Sequence, residues 1–338
     1  MERVTHQYPK IIAIYLSPIV AGWIAIFLGA YGITPEMVLK VILNDVFHIF
    51  NVGDIPEKAI ILDIRLPRVL LASIVGAALS GSGVVLQAIF RNPLVDPFIL
   101  GISAGAAFGC AITVGFFSFL PVQSMAFLCA VVAVFLAYLT ARTQGEVSRL
   151  PLILSGVIVS AFFTALVSIV KFLVDPHKLQ SIVYWLMGSF SLADWRLVRL
   201  SFWGVAVGLT PILLMRWRLN VISMGEEEAK ALGVNVKRDR LLFIAFSTLA
   251  VATAVSVCGI IGWVGLMVPH LVRMLVGPDH RILLPLAIAG GASFMIAADT
   301  ISRTLTTFDI PVGIITALTG APFFIYLMKK GGREAWGK

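Results

Sequence analysis

The chain has 338 residues, 59% of them hydrophobic and only 13% charged, with a mean hydropathy of +0.97 and a formal charge of +8. Apolar runs of about 20 residues are long enough to cross the hydrocarbon of a bilayer and exclude a soluble globular protein. In such a chain the charge is read by its distribution around the membrane segments, so it argues for no nucleic-acid partner.

The first apolar run, Ile11 to Tyr31, follows "MERVTHQYPK". It is too long for a signal-peptide core and lacks a small-residue cleavage site, so a retained first span is expected. Apolar runs and their polar breaks predict ten spans, roughly 11–31, 66–88, 98–117, 121–142, 150–173, 195–216, 240–258, 261–275, 282–305 and 311–328. The eighth is short for a bilayer. Placing both termini in the cytoplasm puts most of the 26 basic residues on that side, as the positive-inside rule requires. The expectation is an all-α polytopic protein with one transmembrane domain over residues 1–338.

Glycines punctuate several spans: Gly76, Gly81 and Gly83 in the second, Gly101, Gly105 and Gly109 in the third, Gly290 and Gly291 in the ninth. Missing side chains let backbones approach, so these predict close helix packing. "LQSIVYWLMGSFS" (179–191) is apolar but too short to span. It predicts a re-entrant or interfacial helix on the outer side, where protein or a water-filled cavity satisfies its ends.

The most polar stretch is "SMGEEEAKALGV" (223–234), between "RWR" and "KRDR". Ser223 and Glu226 have the spacing of a capping box, Glu226 and Lys230 form an i, i+4 pair, and Gly233 is placed to end a short helix. Its apolar residues are too few to bury it in the membrane. A compact acidic helix framed by basic ends is either a solvated loop helix or a docking knob for a partner. In "RNPLVDP", two prolines four residues apart break the helix at a turn.

Cys110, Cys129 and Cys258 lie in apolar runs without CxxC spacing, and His6, His48, His177 and His280 are scattered. Neither set predicts a disulfide framework or a metal site. An intramembrane hydrolase would need a nucleophile such as Ser82 of "SGSG" within reach of His270 of "VPHL". Asp299 of "AADT" is an intramembrane acid whose simpler reading is helix packing or an outer-end polar contact.

Five stretches carry a resemblance: "RLPRVLLASIVGAALSGSGVVLQAIFRNPLVDPFILGISAGA" (65–106), "YWLMGSFS" (184–191), "LNVISMGEEEAKALGVNVKRDRLL" (219–242), "GIIGWVGLMVPHLVRMLVGPDHRILLP" (259–285) and "IPVGIITALTGAPFFIYLMKK" (310–330). Together they resemble the permease family of ABC importers that carry cobalamin, iron siderophores and haem. The first 60 residues show little of this pattern beyond an apolar span and a polar connection.

The resemblance implies ten helices per subunit in the inner membrane of a bacterium or archaeon. It implies a homodimer, two separate ATPase chains that bind ATP and magnesium, and an extracytoplasmic binding protein delivering the cargo. No cofactor is expected in this chain, and no GxxxxGK[ST] phosphate loop occurs in it. By position, residues 223–233 resemble the coupling helix seated in the ATPase: Ser223 and Gly233 bound it, Glu226, Glu227 and Glu228 supply polar contacts, and Met224, Ala229 and Leu232 supply fit. Arg65, Arg68 and Arg303 match outward arginines that pair with carboxylates of the binding protein. Asn92, Pro93 and Leu94, with Val147 and Ser148, resemble stretches at the cytoplasmic gate, though a plain turn explains them equally well. An iron siderophore is the first expectation for cargo, then cobalamin or haem, with a metal oxyanion such as molybdate as the alternative.

Overall fold

The computed structural model describes residues 8–29, 31–47, 55–143, 146–306 and 308–330. Helices stand at all ten predicted positions: α1 Tyr8–Phe27, α3 Leu66–Phe90, α4 Ile102–Phe116, α5 Val122–Ala141, α6 Arg149–Leu173, α8 Trp195–Leu214, α11 Val236–Cys258, α12 Val264–Val276, α13 His280–Thr304 and α14 Val312–Lys330. Shorter helices join them, among them α2 Pro35–Phe47, α7 Pro176–Leu186, α9 Arg216–Met224 and α10 Glu226–Ala231, and a helical lead-in over Pro56–Ala59 and Ile60–Arg65 runs directly into α3. The described strands are β1 Arg142–Thr143 and β2 Glu146–Val147, paired as a minimal hairpin.

Eight helices are long and apolar enough to cross a bilayer alone. The other two, α4 with 15 residues and α12 with 13, rise only about 20 Å at 1.5 Å per residue. The expected third span at 98–117 is therefore composite. Pro97–Leu100 forms a 3-10 turn capped by Asp96, and Gly101 turns the chain into α4 with φ of +88°, where a side chain would be strained. The connection after α1 also carries α2, which hydropathy alone did not reveal.

Helix α3 is the hub. It packs on α13, α11, α8, α12 and α1, and is buried along nearly its whole length. Its glycines make this possible. A Cβ at Gly76 would lie 2.1 Å from the Gly291 carbonyl oxygen, and one at Gly83 would lie 1.9 Å from that of Gly265. In lipid, where apolar burial gives helices little reason to associate, such backbone proximity lets van der Waals packing hold the bundle together. The third-span strip serves a neighbour in the same way, with Gly105 and Gly109 lying against the backbone of α5 at Cys129 and Met125.

Helices α4, α5 and α6 pack on one another and join the rest chiefly through α11. The short helix α7 ends on the same element. Gly188 turns with φ of +72°, and Ser189 N–H donates to the Cys258 carbonyl, 2.8 Å, satisfying the end of α11. The non-spanning apolar segment thus finds protein at its end, as its length demands.

Candidate coupling surface and its tethers

The acidic segment folds as a break between two helices rather than one capped helix. Ser223 belongs to α9 and its hydroxyl donates to the Asn220 carbonyl, 2.8 Å, so the expected capping box does not form. Gly225 is the N-cap of α10, its backbone extended and overlaid by the Glu228 side chain; a Cβ there would lie 1.7 Å from Glu228 Oε2. The expected stop is present. Val234 N–H donates to the Ala229 carbonyl and Gly233 N–H to that of Lys230, both 2.9 Å, with Gly233 at φ of +76°. This pair of bonds closes the free carbonyls of α10 as a Schellman motif.

The corner is rigidly mounted. Arg218 of α9 donates to both carboxylate oxygens of the fully buried Asp239 of α11, at 2.8 and 3.0 Å. Asn220 binds Asp279 at 2.6 Å and accepts from the His280 backbone at 2.8 Å, joining the start of α13 to the same corner. The Asp279 carboxyl, which loses hydration on burial, is nevertheless held below its usual range by Asn220 and Arg281.

Of the residues expected to meet an ATPase, Met224 and Leu232 are exposed, at 57% and 61%, and Glu227 and Glu228 face solvent with them. The other two are engaged within the chain, and for Ala229 the expectation is corrected. Ala229 is completely buried, so it supplies the internal seat of α10 and no outward fit. Glu226, its side chain still 42% exposed, forms an ion pair with the buried Arg240 of α11 and a second, at 3.6 Å, with Arg149 of α6. Partial burial opposes its charge, but the Arg240 and Arg149 guanidinia prevail and hold the carboxyl below its ordinary range.

These contacts bring the two expected gate stretches to the same corner. Arg91, immediately before Asn92, donates to the Met224 carbonyl at 2.7 Å. Arg149, immediately after Ser148, reaches Glu226. Asn92 Oδ1 accepts from Leu94 N–H at 2.9 Å, forming an Asx turn, and Asn92, Pro93 and Leu94 are exposed. Gln87 holds the far side of this turn through the Val95 carbonyl, 3.5 Å, and accepts from Arg273 of α12 at 2.7 Å. Ser148 is exposed at the N-cap of α6, and the side chain of Val147 lies outside the described residues.

At the other end of α3 the three expected docking arginines come together, but not facing outward. Arg65, 4% exposed, donates to the carbonyls of Ile26 at 2.8 Å and Phe27 at 3.3 Å, and also to that of Tyr31. Arg303, 8% exposed, donates to Leu28 at 2.6 Å and to Ala25. They satisfy the carbonyls that the end of α1 leaves without helical partners. Arg68 spans both oxygens of Asp299 at 3.0 Å and reaches Asp309 at 2.6 Å. The expectation of outward side chains is thus corrected, because each guanidinium finds acceptors within the chain.

The hydrolase reading also fails on geometry. Ser82 Oγ is buried without a hydrogen-bond partner, and the His270 ring packs against Phe323 and Phe324. The serine–histidine bond needed to activate a nucleophile is not made. Sequence reasoning missed Arg91, Arg149, Arg240 and Asp309; the basic residues flanking the acidic run were the available signal for Arg240, whereas pairings across long separations carried none.

Residues 17–330 match the model of the FecCD transport family. The chain is 42% identical over 316 residues to the probable iron chelatin transport system permease protein of Helicobacter pylori, covering 93% of this chain and 96% of that one. It is 40% identical over 332 residues to the molybdate import system permease protein MolB of Haemophilus influenzae, covering 96% and 98%. A solved structure assigned to a metal-chelate type ABC transporter, in an inward-facing conformation, superposes with a TM-score of 0.85 at 39% identity, covering 96% of this chain and all of that one. The chain therefore belongs to the FecCD transport family, as a multi-pass permease subunit and not an enzyme.

Proposed function

We propose that this chain is the membrane-spanning subunit of an ATP-driven importer that carries an iron siderophore across the inner membrane of a bacterium or archaeon. It works as a homodimer with both termini in the cytoplasm, two ATPase chains supplying ATP and magnesium, and an extracytoplasmic binding protein delivering cargo. The broader class, permease of an ABC importer for metal chelates, rests on the family and its relatives. The observation that carries the mechanism is the corner at Met224–Glu226. It presents exposed Met224, Glu227, Glu228 and Leu232 to a partner while its backbone and Glu226 hold both gate stretches through Arg91 and Arg149.

A partner that grips the outer face of α10 and moves it pulls on Arg91 and Arg149 together. The turn at 92–94 and the start of α6 then shift in step with the ATPase, whose two states differ in contact with α10 and so supply the driving free energy. The buried outer arginines shape the surface on which the binding protein sits. The test is reconstitution of this chain with its ATPase subunit in proteoliposomes. The expected result is ATP-dependent uptake of a ferric siderophore, with transport lost but ATPase assembly kept in Glu226→Gln. Uptake of molybdate and not of the siderophore would select the alternative cargo, which the similarity to MolB favours.

A further inference from the structure

Helices α5 and α8 both pack on α11 but make no substantial contact with each other. Between them lies a crevice of about 780 Å³ floored by α11, at the end of α8 opposite to α10. A second crevice of about 490 Å³ continues it along α5 and α11 towards Tyr138 and Leu241, with Phe127 and Leu249 lining both. The result is one furrow running along a bundle whose surroundings are lipid.

Its polarity is graded. Arg196 and Arg199 line the upper crevice beside Gln123 and Ser124, and both arginines are exposed without an ion pair or hydrogen bond among the described residues. The nearest acid in sequence, Asp194, is engaged as the N-cap of α8 through Leu197 N–H at 2.6 Å. Below the arginines the floor is apolar. Thr253 gives its hydroxyl hydrogen to the Leu249 carbonyl at 2.7 Å, and Ser256 to that of Thr253 at 2.8 Å, leaving little polarity to offer a guest. A soluble anion would use only the mouth of such a furrow. A group with a negative head and a long apolar body uses all of it.

We infer that this furrow is a binding site for an anionic phospholipid, with its phosphate held by Arg196 and Arg199 and an acyl chain laid between α5 and α8. Two arginines at a helix end commonly snorkel to the headgroup level, where a phosphate provides the bidentate acceptor that their planar forks match. On the expected topology this is also the face where basic residues are scarce, so the pair holds anionic lipid in a leaflet that does not otherwise attract it. The inference is independent of the importer's cargo.

Native mass spectrometry of the full chain, delipidated in mild detergent and offered phosphatidylglycerol or phosphatidylcholine with matched acyl chains, tests it. The wild type is expected to retain phosphatidylglycerol at least about fivefold better, the ratio that corresponds to one arginine's attraction to an anionic surface. Arg196→Gln with Arg199→Gln should bring the ratio near one without lowering the lipid-free melting temperature. Leu200→Trp, which fills the crevice, should reduce retention of both lipids. Equal retention by the wild type, an unchanged ratio in the double variant, or displacement of lipid by millimolar inorganic phosphate would overturn the assignment. So would disulfide cross-linking of Leu200→Cys between two copies in native membranes, which would give the furrow to a second chain.

Discussion

Two charge clusters mark opposite ends of helix α3, and they differ in what they leave unspent. At the end near Arg65, three arginines meet Asp299, Asp309 and the last carbonyls of α1, and nearly all of that charge is consumed inside the protein. At the end near Arg91, Glu226 is engaged by Arg240 and Arg149 and Asp239 by Arg218, while Glu227 and Glu228 remain in solvent beside exposed Met224 and Leu232. A closed cluster fixes geometry, whereas an open one offers it to something else. The same residue types therefore serve as a fastening at one end and, on the proposed function, as a handle at the other.

The sharpest attack on this contrast is Asp299→Asn, which strips Arg68 and Arg303 of their shared, 1% exposed counter-charge. Removing one partner from a buried ion pair costs about 3–5 kcal/mol. Thermal unfolding of the purified chain should show a large fall in melting temperature, and an unchanged value would mean that the closed cluster fastens nothing. Next comes Gly76→Ala. The added methyl must displace the Gly291 backbone and should cost about 1–3 kcal/mol, as overpacking does.

A smaller effect is expected for Glu226→Gln, and it carries a pH signature. Because the folded carboxyl titrates below its ordinary range, its ion pairs stabilise the corner fully above the unfolded value of about 4.3. That stabilisation disappears as pH falls through the lower folded value. Melting curves of wild type and variant should differ at pH 7 and converge towards pH 3; a gap that persists in acid would assign Glu226 a packing role. The least effect on stability belongs to Glu227→Lys with Glu228→Lys, exposed changes expected within about 0.5 kcal/mol. Co-purification of the ATPase subunit should nevertheless be lost, and retention would remove the handle from the comparison.

The helix positions were legible because membrane spans announce themselves by length and hydropathy, and the glycine strips by their spacing. The acidic helix was legible in its outline, since Gly233 ends it as expected. Its beginning was not, because Ser223 is as good a cap in sequence as Gly225, and only the mounting of α9 through Arg218 and Asn220 decides between them. Direction of charge was the larger loss. Arg65 and Glu226 were both expected to face a partner, and both find acceptors or counter-charges within the chain, Ile26 and Phe27 in one case, and distant Arg149 with Arg240 of the flanking basic run in the other. Alternation and composition describe a residue's type, not which long-range acceptor competes for it.

Arg91 closes helix α3 with φ of 52°, a left-handed backbone that a side chain tolerates at some cost and glycine adopts freely. The position thus serves two masters: the turn would be more comfortable without a side chain, and the Met224 carbonyl is reached only with one. Arg91→Gly would ease the helix end while cutting the cord to the acidic corner, so on the proposed function a better folded protein would be a worse transporter.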